Sequence, residues 1–145
     1  LDYVYKTNTR KLDDHLIMRP FPLYATNNVD FEKIKEEYRE QMVKLGGIAV
    51  FVLGNKFDNG SIQIADGLIE EFKVAINNGL NVIPIGVTGY ASKVLWDRVI
   101  ENFEEFYPDN IALKKDFELL GNTELTSVDI IKTVCKIIIE LKEVY

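Results

Sequence analysis

Two short segments, Gly54 to Ser61 and Gly86 to Ser92, carry the residues best suited to hold a phosphorylated ligand. Each mixes glycines with small hydroxyl or amide side chains and leads into a helix, where backbone N–H groups lack intrahelical partners and can meet phosphate oxygens. The same composition also describes an ordinary strand-to-helix turn. Lys56 stands three residues past an apolar run. There its ammonium either reaches an anion as a compact charge or stays a solvated turn lysine.

Arg39 carries a guanidinium able to clamp a pyrophosphate with two parallel hydrogen bonds, and Glu36 and Glu40 offer it a plain surface pairing instead. Glu70 and Glu71 are adjacent on a helix, so they point about 100° apart and cannot serve the same partner. Glu70 shares a face with Gln63, Asp66, Lys73 and Asn77 and reads as a surface charge. Glu71 falls nearer Leu68 and Ala75, at the border of the apolar stripe. A carboxylate there either accepts ribose hydroxyls or forms a boundary salt bridge. No Ser/His/Asp set, metal cluster or Walker-type loop can be assembled. No catalytic or metal site is expected, and no cofactor.

The elements that hold these residues follow from periodicity. Asp30 caps a helix with Phe31, Ile34, Tyr38, Met42 and Leu45 at helical spacing, and Gly46-Gly47 stops it. Ile48 to Leu53 is a continuous apolar run, the composition of a central parallel strand covered on both faces. Gly54 to Gly60 reads as a turn-rich segment before a helix over about Ile62 to Asn77, which buries Ala65, Leu68, Ile69, Phe72 and Ile76. Val82 to Ile85 is a second buried strand, whose Pro84 requires a strand end or an edge.

A helix through Val94, Leu95, Val99, Ile100 and Phe103 follows, then a weaker one over Ile111 to Leu120. Thr126 and Asp129 form a capping box before a last helix with the stripe Ile130, Ile131, Val134, Cys135, Ile138 and Leu141. On that stripe Cys135 reads as a packing residue, with a redox role as the alternative. Near the start, Leu1 to Lys11 has the spacing of a helix already under way, Leu16-Ile17-Met18 a strand, Arg19 to Pro22 a loop, and His15 a loop or strand-edge position.

Strands alternating with helices imply an α/β, Rossmann-like parallel sheet with right-handed crossovers. Three strands are visible, few for this architecture, so the first strands are expected upstream. The 145 residues suit one domain, read as residues 12–145 after an upstream helix end at 1–11. With 17 basic against 23 acidic side chains, a net charge of −6 argues against sequence-independent binding to nucleic acid or an anionic membrane. No apolar run approaches the roughly 20 residues of a membrane span, and with one cysteine and one histidine a cytoplasmic chain fits.

Taken together, Tyr38-Arg39-Glu40, Ile48 to Lys56, Gly67 to Phe72 and Val82 to Gly89 resemble the C-terminal SLOG domains of the ThsA family of Thoeris antiphage defence effectors, and Leu16 to Pro22 fits the same pattern. The resemblance runs from about Leu12 to the C-terminus. It implies a three-layer Rossmann-like domain that senses a cyclic ADP-ribose isomer made by a TIR-domain protein. Binding reorganises a homo-oligomer and releases an upstream sirtuin-like domain to hydrolyse NAD. By motif, Arg39 resembles the arginine that engages the signal's phosphates, Lys56 the lysine of the strand-end turn, and Glu71 the glutamate that holds a ribose. Gly54, Asn55, Thr88 and Gly89 resemble the pocket backbone. The family's glycine-rich segment before the first helix pair has no counterpart in this sequence.

Two other readings compete. The wider superfamily includes phosphoribohydrolases of the cytokinin-activating type, nucleotide N-glycosidases built on a compact Pro-Gly-Gly-x-Gly-Thr-x-x-Glu loop. Here the strand ends in Leu53-Gly54-Asn55-Lys56 and reaches Glu70-Glu71 only after a much longer connection. The third reading is an oligomerisation scaffold using the final helix or a sheet edge.

Overall fold

A computed structural model describes residues 30–142. The chain divides into two compact units, residues 1–38 and 39–145. The helix end expected over Leu1 to Lys11, the strand at Leu16 to Met18 with its proline loop, and His15 lie outside the described residues.

Helix α1 spans Phe31–Val43 and starts as its sequence requires, with Asp30 Oδ1 accepting the Glu32 amide at 3.1 Å. It stops short of Leu45, and both Met42 and Leu45 are exposed. Strand β1 (Ile48–Phe51) then runs parallel to β4 (Asn81–Pro84), with Ile48 opposite Asn81 and Phe51 opposite Pro84. Pro84 closes its strand, and the next amide, Ile85 N–H, donates to the Phe51 carbonyl at 2.9 Å, so the missing donor breaks no ladder.

Three expectations need correction. Among the described residues, strand β1 is not covered on both faces: it pairs with β4 alone, and Val50 is 41% exposed. An unbroken apolar run tells which residues can be buried and leaves the strand's place in the sheet open.

The segment after β1 is also more ordered than a loop. Strands β2 (Asn55–Asp58) and β3 (Ser61–Ile64) form an antiparallel hairpin around Asn59-Gly60, both with positive φ (49° and 78°). That is the backbone of the tight turn favoured by an Asn-Gly pair. Helix α2 therefore begins later than expected and spans Asp66–Asn77, with Ala65 at its N-cap.

The last helix keeps Ile130, Val134, Ile138 and Leu141 of the expected stripe on the core side but exposes Ile131 and Cys135 and buries Ile137 instead. Its capping box forms, with the Thr126 hydroxyl donating to Asp129 Oδ2 at 2.6 Å and the Asp129 amide returning to Thr126 Oγ1 at 3.2 Å. Helix α6 (Ser127–Lys142) buries Ile130, Ile137 and Leu141, and leaves Cys135 exposed. Ile131 and Ile139 are exposed as well, so this helix is apolar on two faces and periodicity alone does not choose between them.

Between these elements lie α3 (Tyr90–Glu101), α4 (Phe103–Phe106) and α5 (Lys114–Leu119). Single 3-10 turns at Gly86–Thr88 and Ile111–Leu113 lead into α3 and α5. The core joins Val82 and Ile83 of β4 to Phe72 and Ala75 of α2, Leu95 and Val99 of α3, Phe103, Tyr107, Phe117 and the inward face of α6. Phe51 and Phe72 meet edge to face at 5.3 Å, and the buried Tyr107 hydroxyl donates to the Val82 carbonyl at 2.6 Å. The architecture is α/β and Rossmann-like, with a small parallel sheet and few strands. Among the described residues, no helix is long and apolar enough to cross a membrane.

Candidate functional site

The last turns of α1, the strand β1 and one face of α2 line a cavity of about 270 Å³. Met42, Val43, Ile48, Phe51, Leu68 and Ala75 supply apolar walls, and Arg39 and Glu71 are the charged groups in the lining. Arg39 lies along the start of α2, within contact range of Gly67. A Cβ there would stand 3.8 Å from the guanidinium Nη2. Gly67 and Glu71 are one helical turn apart, so the guanidinium and the carboxylate share a face of α2.

Glu71 is half-buried, and loss of solvent raises its carboxyl above the ordinary value, while the positive charge of Arg39 pulls the other way. A carboxylate in that setting gains from any hydroxyl that donates to it. Glu70 points elsewhere: it is exposed and pairs with Lys73 at 2.7 Å. The 100° offset between neighbouring helical residues thus separates the two acids as the sequence indicates.

Lys56 does not line this cavity. It sits on β2, and its Nζ lies 2.7 Å from Oδ2 of Asp66, the first residue of α2. That hydrogen bond and its charge raise the Lys56 ammonium and lower the Asp66 carboxyl from their ordinary values. Cross-strand pairing fixes the direction of this side chain. Lys56 faces Gln63, and Phe57 faces Ile62 on the other side of the hairpin. Sequence periodicity missed Asp66 as a partner of Lys56. The Asn59-Gly60 turn was the available signal, because a hairpin around it returns the chain to place Asp66 near Lys56.

Gly54, Thr88 and Gly89 meet at the carboxyl ends of β1 and β4, where they build a junction. The Gly54 carbonyl accepts the Ala65 amide at 2.8 Å and the Ala91 amide at 3.4 Å, tying the starts of α2 and α3 to one residue. A Cβ on Gly54 would fall 2.5 Å from a Leu68 methyl and 2.7 Å from the Ala91 Cβ, so only glycine fits, and its φ of +88° says the same. Thr88 Oγ1 accepts the Leu53 amide and donates to the Ile85 carbonyl. Gly89 turns into α3 with φ +79°. Asn55 is exposed at the base of the hairpin, opposite Ile64. Of the seven residues singled out in the sequence, the structure brings Arg39 and Glu71 into one cavity, puts Lys56 on the adjoining hairpin, and sets Gly54, Thr88 and Gly89 in the frame beneath.

The Sir2- and TIR-associating SLOG family model matches residues 1–141. The chain is 46% identical over 142 residues to the NAD(+) hydrolase ThsA of Cytobacillus dafuensis, a match covering 98% of this chain and 29% of that protein. It is 35% identical over 139 residues to the protein of the same name from Bacillus cereus (strain MSX-D12), covering 95% and 28%. Against that from Enterococcus faecium it is 42% identical over 117 residues, covering 79% and 23%. The chain therefore spans less than a third of the length of each of these relatives. With its whole described fold and nearly every residue inside that match, the chain belongs to the Sir2- and TIR-associating SLOG family.

Proposed function

We propose that this chain is the signal-sensing domain of an antiphage NAD-hydrolysing effector and is not itself the hydrolase. It binds a cyclic ADP-ribose isomer made by a TIR-domain protein, and binding releases an upstream sirtuin-like domain to consume NAD in the cytoplasm. The observation that carries this reading is the presence of Arg39 and Glu71 on one cavity with apolar walls. A guanidinium suits a pyrophosphate, a half-buried carboxylate suits ribose hydroxyls, and the aliphatic lining suits the flat face of a base.

At about 270 Å³ the cavity falls at the lower edge of the roughly 300–1,000 Å³ typical of small-molecule sites. It takes a ribose and part of a base, so the phosphates extend along the start of α2 towards Lys56. Gly54, Thr88 and Gly89 hold the strand ends that carry this surface, and Asn55 stands exposed at the base of the hairpin beside it. Activation passes through a homo-oligomer whose subunits rearrange, which requires that the signal bind one arrangement better than the other.

Calorimetric titration of the 145-residue chain with cyclic ADP-ribose isomers, using linear ADP-ribose and NAD as controls, tests the proposal. Saturable binding selective for one cyclic isomer, recovered unchanged after incubation, supports it. Release of a free base from a nucleotide would turn the reading to a phosphoribohydrolase, and failure of a folded sample to bind any of these compounds would turn it to an oligomerisation scaffold.

A further inference from the structure

Lys56, a cation of the proposed site, already has an anion in its grasp. Its Nζ is 2.7 Å from Oδ2 of Asp66, and Asp66 adjoins Gly67, against which the Arg39 guanidinium lies. The carboxylate thus stands at the start of α2, next to the residue that Arg39 reaches, on the helix face of Glu70 and outside the lining of the cavity that holds Glu71. A phosphate engaging Lys56 from this cavity must meet or displace it.

We propose that the Asp66 carboxylate is an internal competitor for the ligand's phosphate: it holds Lys56 on the hairpin while the site is empty and cedes it on binding, and so sets the affinity threshold of the sensor. This rests on the reading of Lys56 as a ligand-binding residue. Exchange is easy at such a pair. The carboxylate side is 80% exposed and the lysine 43% exposed, so water screens the attraction, and an ammonium with three donors moves between acceptors by rotating its stem. A pyrophosphate as a whole carries more charge and more acceptor oxygens than a single carboxylate, and wins the lysine when Arg39 binds it too. Asp66 therefore acts through Lys56 as a positioning residue, and it discriminates against weak anions that cannot engage both cations.

The test is titration of wild type, Asp66→Asn, Asp66→Glu, Lys56→Ala and the Lys56→Ala/Asp66→Asn double variant. Each receives the cyclic ADP-ribose isomers and, separately, inorganic pyrophosphate. Asparagine keeps a side chain suited to a helix start, and thermal melts confirm that each variant folds. Asp66→Asn is expected to bind about two- to five-fold tighter than wild type, the scale of a screened ion pair. Asp66→Glu returns affinity to near the wild-type value, and most of the gain vanishes when Lys56 is absent.

Unchanged or weaker binding by Asp66→Asn overturns the proposal. If an isomer binds wild type well and Asp66→Asn makes no difference, the competitor falls and the sensor reading stands. If Asp66→Asn tightens pyrophosphate binding while no isomer binds any variant, the competitor stands and the sensor reading falls. Failure of every probe with every folded variant overturns both.

Discussion

Thr88 Oγ1 accepts the Leu53 amide at 2.8 Å and donates to the Ile85 carbonyl at 2.7 Å, so one hydroxyl ties the end of β1 to the turn after β4. Leu53 has a φ of +59°, a backbone conformation that a branched side chain adopts at a cost, and the Ser92 amide holds its carbonyl at 2.9 Å. Thr88→Val keeps the shape and removes the hydroxyl. It is expected to destabilise the chain by about 1–2 kcal/mol in urea unfolding, because the Leu53 amide loses its partner and the Ile85 carbonyl keeps only the Thr88 amide. Thr88→Ser should lose much less. Equal losses in the two variants would place the effect in the methyl group and reject the hydrogen-bonded tie.

The two neighbouring glutamates give a test with its own control. Glu71 lines the cavity with Arg39, and Glu70 is exposed and held by Lys73. Arg39→Ala or Glu71→Ala is expected to weaken binding of the preferred cyclic ADP-ribose isomer by about ten-fold or more, as befits hydrogen bonds to charged groups. Lys56→Ala should weaken it less, since Lys56 is shared with Asp66, and Glu70→Ala should leave it unchanged. Titration of the four variants reads this directly, and matching losses at the two glutamates would contradict the face assignment.

The burial of Glu71 also makes stability depend on pH in a defined direction. Its carboxyl is raised above the ordinary value of 4.5, chiefly by loss of solvent, so the folded chain holds that proton more tightly than the unfolded chain. The contribution is therefore complete below pH 4.5 and declines as pH rises through the raised folded value. Glu71→Gln, which resembles the protonated acid, should match wild type below that window and exceed it in urea midpoint above. The same variant should bind the ligand less well, because an amide is a weaker acceptor for ribose hydroxyls than a carboxylate. A wild-type midpoint that rises relative to Glu71→Gln over this window would show that Arg39 outweighs burial.

How much of this was legible in the sequence depended on whether local chemistry or packing decided the outcome. The cap at Asp30, the box at Thr126 and Asp129, and the strand-ending Pro84 each follow from one side chain's own hydrogen bonds or ring, and each appears as read. Glu70 and Glu71 separated correctly because a single helical angle decides between them. The hairpin was missed because Phe57, Ile62 and Ile64 lie among polar residues and are exposed, so no buried stripe announced a strand. Only the Asn59-Gly60 pair marked it. Cys135 was misplaced for the opposite reason: α6 offers two apolar faces, and the core took the one with Ile137. The meeting of Lys56 with Asp66 depends on the hairpin, and so was hidden with it.

Trp96 provides a packing prediction that does not depend on any ligand. Its indole N–H donates to the Phe117 carbonyl at 2.7 Å, and the ring is wedged between Gly86 and Gly121. A Cβ on Gly121 would come within 2.6 Å of Cη2, an atom of the six-membered part of the indole, and a Cβ on Gly86 within 2.6 Å of Cγ. Gly121→Ala must therefore push the indole or the α5 end aside, an overpacking expected to cost about 1–3 kcal/mol. Trp96→Phe is destabilising by itself, since it empties that space and removes one of the two donors to the Phe117 carbonyl, which keeps the Leu120 amide at 3.1 Å. Phenylalanine, however, no longer reaches Gly121, so the two substitutions together should cost clearly less than the sum of their separate effects. A double-mutant cycle in urea measures that coupling, and strict additivity would mean that Gly121 is small for a reason other than the indole.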